Sequence, residues 1–411
     1  MIGIPALLGN PPAFSETVPV ARPTMPSGPD VLERIGATLR SGQVTNGAQV
    51  RAFEEETAEF LNVPHVVAVS SCTTGLLLLL RCLGLRGKVV VPSFTFMATG
   101  HAVVWNGMEL VFADSDPLTC TLDPESVAAV APGAAAILAV HTFGAPCDTE
   151  RLQAVANDSG SVLLFDAAHG FGGRYPDGTM IGSKGLAEVF SLSPTKTLSA
   201  GEGGLISTGD ASLARDLRTA RVYGNAGGYD ATMVGLSGRL PEMAAILGRA
   251  ALPMLPSWLS RRRELAARYQ RNLSGIPGLG FQSIMTGAES SVKDFTVRVD
   301  PEFGLERDEL ATALAAENVE TRPYFDPPLH RQAVYRNVPV VTSLAGTDRL
   351  SATSLTLPMH SLMQSSLVDR ICAVIHDIHR HAERIAGVLR AADPAPQPVT
   401  AVSSPERTGI A

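Results

Sequence analysis

Lys196 lies between an apolar run and a turn holding three glycines, in the stretch EVFSLSPTKTLSAGEGG, residues 188 to 204. A lysine held out of bulk water titrates toward neutrality and becomes a nucleophile or proton carrier; left in solvent, it is an ordinary charged loop residue. Asp166 closes another apolar run, SVLLFD, and is followed by Ala167, Ala168, His169 and Gly170. A carboxylate there can cap a helix, ligate a metal, or hold a protonated ring nitrogen through a charge-assisted hydrogen bond. A histidine such as His169, taken alone, is more often a packing residue than a ligand, since no second histidine accompanies it at ligand spacing. The third group is Ser70-Ser71-Cys72-Thr73-Thr74-Gly75, directly before LLLLLRCL. Free N–H groups at a helix start, flanked by hydroxyls, bind an anion such as phosphate; the same hydroxyls also serve as plain caps.

The elements that must position these groups are short β-branched runs alternating with helical patterns from residue 65 onward: HVVAVSS, KVVVPS, AAAILAVHTFG, SVLLFDAAHG, AEVFSLS and GGLISTGD as strands, with TGLLLLLRCLGL, FMATGHAVVWNG, DTERLQAVANDSG and ASLARDLRTARVYG between them. Fully apolar strands in such alternation predict an α/β fold, with a mostly parallel mixed sheet covered by helices on both faces. Ligands of such sheets bind beyond the carboxyl ends of the strands. A helical stretch from roughly Pro241 to Leu273 follows. Then KDFTVRVD reads as a strand, RDELATALAAENV as a helix and SSLVDRICAVIHDIHRHAERIAGVL as one closing helix, a smaller C-terminal α+β domain. The expected division is an arm at 1–28, a large cofactor-binding domain at 29–260, a small domain at 261–392 and a disordered tail at 393–411.

Placed at neighbouring strand ends, an anion cradle, a carboxylate and an amine meet the needs of one cofactor. Pyridoxal 5′-phosphate has a phosphate to be cradled, a pyridine nitrogen to be kept protonated, and an aldehyde that a lysine amine captures. Phe94 and Phe96, in PSFTF, are candidates to cover its ring or to pack in the core.

The 411 residues carry 33 basic and 40 acidic side chains, a formal net charge of −7. Arg261-Arg262-Arg263 fits a solvated helix face, so neither nucleic acid nor an anionic membrane is an expected partner. Five widely spaced cysteines with no CxxC pair predict reduced thiols, a cytoplasmic protein and no metal site. An amino terminus without a basic region, and apolar runs far short of a bilayer span, predict neither export nor insertion.

From about Ser41 to Ala382 the chain resembles the DegT/StrS family of PLP-dependent sugar aminotransferases, which have the type I aminotransferase fold. The resemblance rests on SGQVTNGAQVRAFEEE, VSSCTTG, VVPSFTFMAT, AVHTFGAPCD, FDAAHGFGG, FSLSPTKTLSAGEGGLIST, RVYGN, GLSGRLPEMAAILG, TRPYFDPPLHRQ and LTLPMHSLM, in order. It implies that Lys196 binds the cofactor covalently and shuttles a proton, that Asp166 pairs with the pyridinium, and that His169 lies by the ring. It assigns phosphate contacts to Thr73, the backbone at Cys72, and Ser191, and ring stacking to Phe96. Family members are usually homodimers with the active site at the subunit interface. The segment matching GLSGRL reaches the partner's cofactor phosphate; Ser237 stands where asparagine is frequent, with Arg239 two residues on. Thr45, Asn46, Gly47, Tyr324, Phe325 and His330 match the region holding the nucleotide sugar, Tyr324 and His330 reading equally as domain-interface packing. Dehydratases of the family carry histidine in place of the lysine, so Lys196 argues against that branch.

The implied reaction transfers an amino group from L-glutamate or glutamine to the ketone of a nucleotide-linked sugar, by way of pyridoxamine 5′-phosphate. RPYFDPPLH resembles enzymes acting on dTDP-4-keto-6-deoxyhexoses. A 3-keto sugar, a cyclitol ketone such as an inosose, or a regulatory protein that has lost catalysis are the alternatives.

Overall fold

The computed structural model describes residues 3–392; the tail at 393–411 lies outside the described residues. Seven strands form the main sheet: β1 (His65–Val69), β2 (Lys88–Pro92), β3 (Glu109–Ala113), β4 (Ala134–Val140), β5 (Val162–Asp166), β6 (Ala187–Ser191) and β7 (Gly204–Thr208). Their order is β1-β7-β6-β5-β4-β2-β3. β7 is antiparallel to both its neighbours, and the remaining pairs are parallel, so six strands share one direction and end on one edge.

Both faces of each central strand are apolar because helices cover both. Val89, Val91, Leu138 and Leu164 enter one core, whereas Val90, Ile137, Ala139, Leu163 and Phe165 enter another on the opposite face. The covering helices are α1 (Pro29–Ser41), α2 (Ala48–Leu61), α3 (Cys72–Cys82), α4 (Met97–Trp105), α5 (Pro124–Val130), α6 (Thr149–Ser159), α7 (Ala211–Ala220) and α8 (Glu242–Ala251). Gly75 lets α3 lie close on the sheet, since a Cβ there would stand 2.7 Å from Val189 Cγ1.

Helix α9 (Leu255–Leu273) runs from the core of the large unit, at Leu255, Trp258 and Leu259, into that of a smaller one, at Leu265, Tyr269 and Leu273; the smaller unit continues with β8 (Leu279–Phe281), β9 (Phe295–Val299), α10 (Arg307–Ala316), α11 (Ala345–Thr353), β10 (Ser354–Leu357), α12 (Ser365–Arg380) and α13 (Ala382–Ala392), its sheet antiparallel in the order β10-β9-β8. The amino-terminal segment packs Phe14 and Val18 into this unit's core. Glu317 fixes it there, accepting the Ala6 and Ala13 amides at 2.6 and 2.7 Å.

Three expectations need correction. The 241–273 helix is divided by a 3-10 turn, Leu252–Met254, because Pro253 and Pro256 supply no N–H to a continuous α-helix. The closing helix breaks at His381, which leaves helical geometry at φ −112°, ψ 15°. Strands β3, β8 and β10 were absent from the sequence reading; the last two are only 3 and 4 residues long, too short for alternation to register.

Candidate active site

β5 carries Asp166 to the shared edge in register with Val140 of β4 and Val189 of β6. Its side chain is buried, with one O–H or N–H hydrogen bond to each oxygen and acceptor capacity left over. Thr99, in the first turn of α4, donates to Oδ2 at 2.8 Å, and the Ala168 amide donates to Oδ1 at 3.1 Å. Burial raises the carboxyl above its ordinary range, opposed by the Thr99 and Ala168 bonds and by the Lys196 cation. The Cys72 thiol approaches Oδ1 at 3.8 Å; burial and then Asp166 push it well up, so it remains a neutral thiol.

The start of α3 forms the second component. Ser71 is the N-cap, its Oγ accepting the Thr74 amide at 3.0 Å. The first backbone bond of the turn is Gly75 N to Ser71 O, so the Cys72 and Thr73 amides precede the helical ladder and are available to an anion. Ser191 ends β6 alongside, with Ser193 and Thr195 beyond it. Gly204 keeps the approach open: a Cβ there would fall 2.7 Å from Cys72 N.

Lys196 and His169 complete the arrangement. Lys196 is half-buried, and its ammonium is lowered to about 8 by desolvation and by the neighbouring Lys293 cation, against the pull of Asp294, Cys72 and Asp166. His169 falls well below its usual value through burial and the Lys196 and Lys293 charges. Its Nδ1 accepts the Phe143 amide at 3.2 Å, so the ring is neutral with its proton on Nε2. The 4.0 Å approach of Asp294 Oδ2 to that same Nδ1 is therefore no ion pair.

These residues line one cavity of about 310 Å³: Cys72, Thr73, Phe96, Asp166, His169, Ser191, Lys196 and Tyr324, together with Ser71, Glu202, Lys293 and Phe325. Phe96 is 53% exposed at the cavity, whereas Phe94 is fully buried against Phe143 and Phe325. Among the described residues no cluster of three or more His, Cys, Asp or Glu has the arrangement of a metal site. None of their helices is long and apolar enough to cross a membrane.

Six expected residues lie outside the cavity lining. His330 is held between Ser93 Oγ at 2.8 Å and Asp348 Oδ1 at 3.2 Å, and its ring meets Phe112 edge-on. Thr45, Asn46, Gly47, Ser237 and Arg239 gather elsewhere. Thr45 bridges to Pro241, Gly47 donates to Glu242 at 2.8 Å, and Arg239 reaches Ser237 Oγ at 3.4 Å. Ser237 is exposed, while Gly238 O accepts the Ser70 amide at 2.8 Å, so this surface patch adjoins the anion-binding turn from outside. Lys293, Asp294, Thr99 and Glu202 were missed. For Lys293 and Asp294 the signal was a charged pair opening an apolar strand, which sequence alone cannot place beside Lys196.

The donors present fit pyridoxal 5′-phosphate: helix-start amides and hydroxyls for its phosphate, a buried carboxylate for its ring nitrogen, and a lysine of lowered pKa for its aldehyde. A model of the DegT/DnrJ/EryC1/StrS aminotransferase family matches residues 27–376. The chain is 34% identical over 356 residues to the dTDP-3-amino-3,4,6-trideoxy-alpha-D-glucose transaminase of Streptomyces venezuelae, covering 85% of this chain and 92% of that one. It is 27% identical over 370 residues to the dTDP-4-amino-4,6-dideoxy-D-glucose transaminase of Escherichia coli, covering 88% and 98%. The crystal structure of DesI with its TDP-sugar product superposes at a TM-score of 0.88 with 36% identity, covering 96% of this chain and all of that one.

Proposed function

The chain belongs to the DegT/DnrJ/EryC1/StrS aminotransferase family, whose enzymes depend on pyridoxal 5′-phosphate, and from that premise we propose that it aminates a ketone on a nucleotide-linked deoxysugar. The observation that carries this reading is the convergence of Asp166, Lys196 and the Ser71–Thr73 turn on one cavity. When bound, the cofactor supplies an electron sink that carries an amino group between donor and acceptor.

The roles assigned to the chain's own residues follow from their surroundings. Lys196, its ammonium lowered to about 8, holds the cofactor covalently at rest and, once displaced as a free amine, moves a proton from the donor's α-carbon. Asp166 keeps the ring nitrogen protonated, since Thr99 and the Ala168 amide stabilise its anionic form. The Cys72 and Thr73 amides with Ser191 hold the phosphate, and Phe96 and His169 flank the ring. Ser237, Arg239 and the Thr45–Gly47 turn serve the active site of a partner subunit in a homodimer; the exposure of Ser237 beside the anion-binding turn, and the bridge from Thr45 to Pro241 close by it in sequence, support this role.

The acceptor proposed is dTDP-4-keto-6-deoxyglucose or a close relative, with L-glutamate or glutamine as donor. A 3-keto isomer is the second reading, favoured by the 34% identity to the 3-amino transaminase against 27% to the 4-amino one. The test treats the purified protein with L-glutamate until its visible absorbance falls, desalts it, and adds each ketose in turn. Return of the band with an amino sugar in the mass spectrum assigns the acceptor. Bleaching that neither ketose reverses leaves the transaminase chemistry intact and rejects both sugars.

A further inference from the structure

Lys293 stands out in the cavity because nothing in the roles above uses it. Among the described residues, two lysines or arginines line this space, Lys196 and Lys293. Lys293 is about 5% exposed, and its ammonium donates to Asp294 Oδ1 at 2.7 Å. One proton is so committed, leaving two for other partners. Its Nζ stands 5.8 Å from the centre of the Tyr324 ring, another lining residue.

Asp294 does not cancel this charge. Arg262 is buried on the same side, 2% exposed, and its Nη1 donates to the Val292 and Lys293 carbonyls at 2.9 and 3.2 Å. Asp294 makes its one ion pair with Lys293 through Oδ1, and Arg262 makes its bonds to Ser361 Oγ and the two carbonyls instead, so both cations lie buried beside a single carboxylate. A buried uncompensated cation is costly unless it has a counter-ion to receive.

On the aminotransferase reading, on which this inference rests, every α-amino acid donor brings a carboxylate one carbon from the reacting nitrogen. Lys196 is engaged with the cofactor, and His169 is neutral. We propose that the Lys293 ammonium, oriented by Asp294, receives the α-carboxylate of the amino-acid donor and so selects α-amino acids for the first half of the reaction. The nucleotide sugar carries its negative charge on a diphosphate far from its ketone, so it makes no use of a cation at this depth.

The experiment compares the wild-type holoenzyme with Lys293→Met/Asp294→Leu, which removes the ion pair as a unit and leaves Arg262 its bonds to Ser361 Oγ and the backbone carbonyls of 292 and 293, and with Lys293→Arg. Bleaching of the visible band is titrated with L-glutamate, and separately with whichever amino sugar the wild type accepts. Binding of α-methylglutamate, which has both charges but no α-proton to lose, is measured by calorimetry. The expected result is a half-saturating glutamate concentration raised at least about 30-fold in the double variant and restored to within about fivefold by Lys293→Arg, with a parallel loss of α-methylglutamate binding and the amino-sugar titration unchanged within about threefold. Unchanged glutamate saturation overturns the proposal, as does equal weakening of both titrations, which assigns Lys293 to the diphosphate or to general support. A wild type that no α-amino acid bleaches overturns the transaminase reading and this proposal with it.

Discussion

Thr99 reaches from the first turn of α4 to Asp166 at the end of β5, its Oγ1 donating to Oδ2 over 2.8 Å. The hydroxyl has a single proton and has given it to the carboxylate, so the 3.0 Å contact between Thr95 Oγ1 and Thr99 Oγ1 runs with Thr95 as donor. A relay of two threonines thus ends on the charge that must stay anionic. Thr99→Val preserves the shape and deletes the last link. Loss of one hydrogen bond to a charged group is expected to cost about 1.5–3 kcal/mol, appearing as a roughly 10- to 100-fold fall in kcat. A variant within twofold of wild type in steady-state kinetics would show that Asp166 needs no such support.

Lys196→Ala removes the covalent anchor but leaves the Cys72–Thr73 amides, Ser191 and Asp166 in place. Turnover is expected to fall by at least about 10⁴-fold, as for removal of a covalent catalytic group. The cofactor remains bound and becomes removable by dialysis. Near-normal turnover in a coupled assay would displace Lys196 from the chemistry.

The same amine sets a pH dependence. Its folded value is lowered to about 8 from the usual 10.5, so it is protonated and unreactive below that pH and free above it. Capture of the cofactor by the apoprotein, followed by absorbance, is expected to quicken about tenfold per pH unit until about pH 8 and then level off. Lys293→Met takes away the charge that acts on Lys196 after desolvation, so the midpoint moves upward. A midpoint that stays fixed, or moves down, contradicts the assigned coupling.

Much of this site was legible because its parts lie at strand ends, and strands declare themselves by unbroken apolar runs. SVLLFD had to deliver Asp166 to the sheet edge, and EVFSLS had to deliver Ser191 close to Lys196, whatever the pairing order. Lys293 was illegible for the converse reason. It enters from the segment before β9 of the smaller unit, and only tertiary packing brings that segment against the large sheet. The partners of His330, Ser93 and Asp348, were equally illegible, being remote from it in sequence. The left-handed turn at Phe143, φ 58°, which aims its amide at His169, leaves no signal in residue type.

The last prediction concerns support rather than chemistry. Glu188 of β6 is fully buried behind the site, yet both its oxygens have partners. Tyr175 Oη and the Lys184 amide donate to Oε1 at 2.9 and 2.8 Å, and His141 Nε2 approaches Oε2 at 3.2 Å. His141 Nδ1 accepts the Cys147 amide at 3.0 Å, which leaves the ring its proton on Nε2, facing both Tyr175 Oη at 3.0 Å and Glu188 Oε2. Tyr175→Phe deletes one donor and adds no bulk, leaving Oε1 with the amide alone in the buried core and removing the hydroxyl beside His141 Nε2. The expected cost is about 1–3 kcal/mol of global stability, read as a lower denaturation midpoint in urea. Because the network ties β4 to β6 beneath Asp166 and Lys196 but touches neither side chain, kcat per folded molecule should hold within about twofold. A fall in kcat with an unmoved midpoint would place Tyr175 in the catalytic machinery instead.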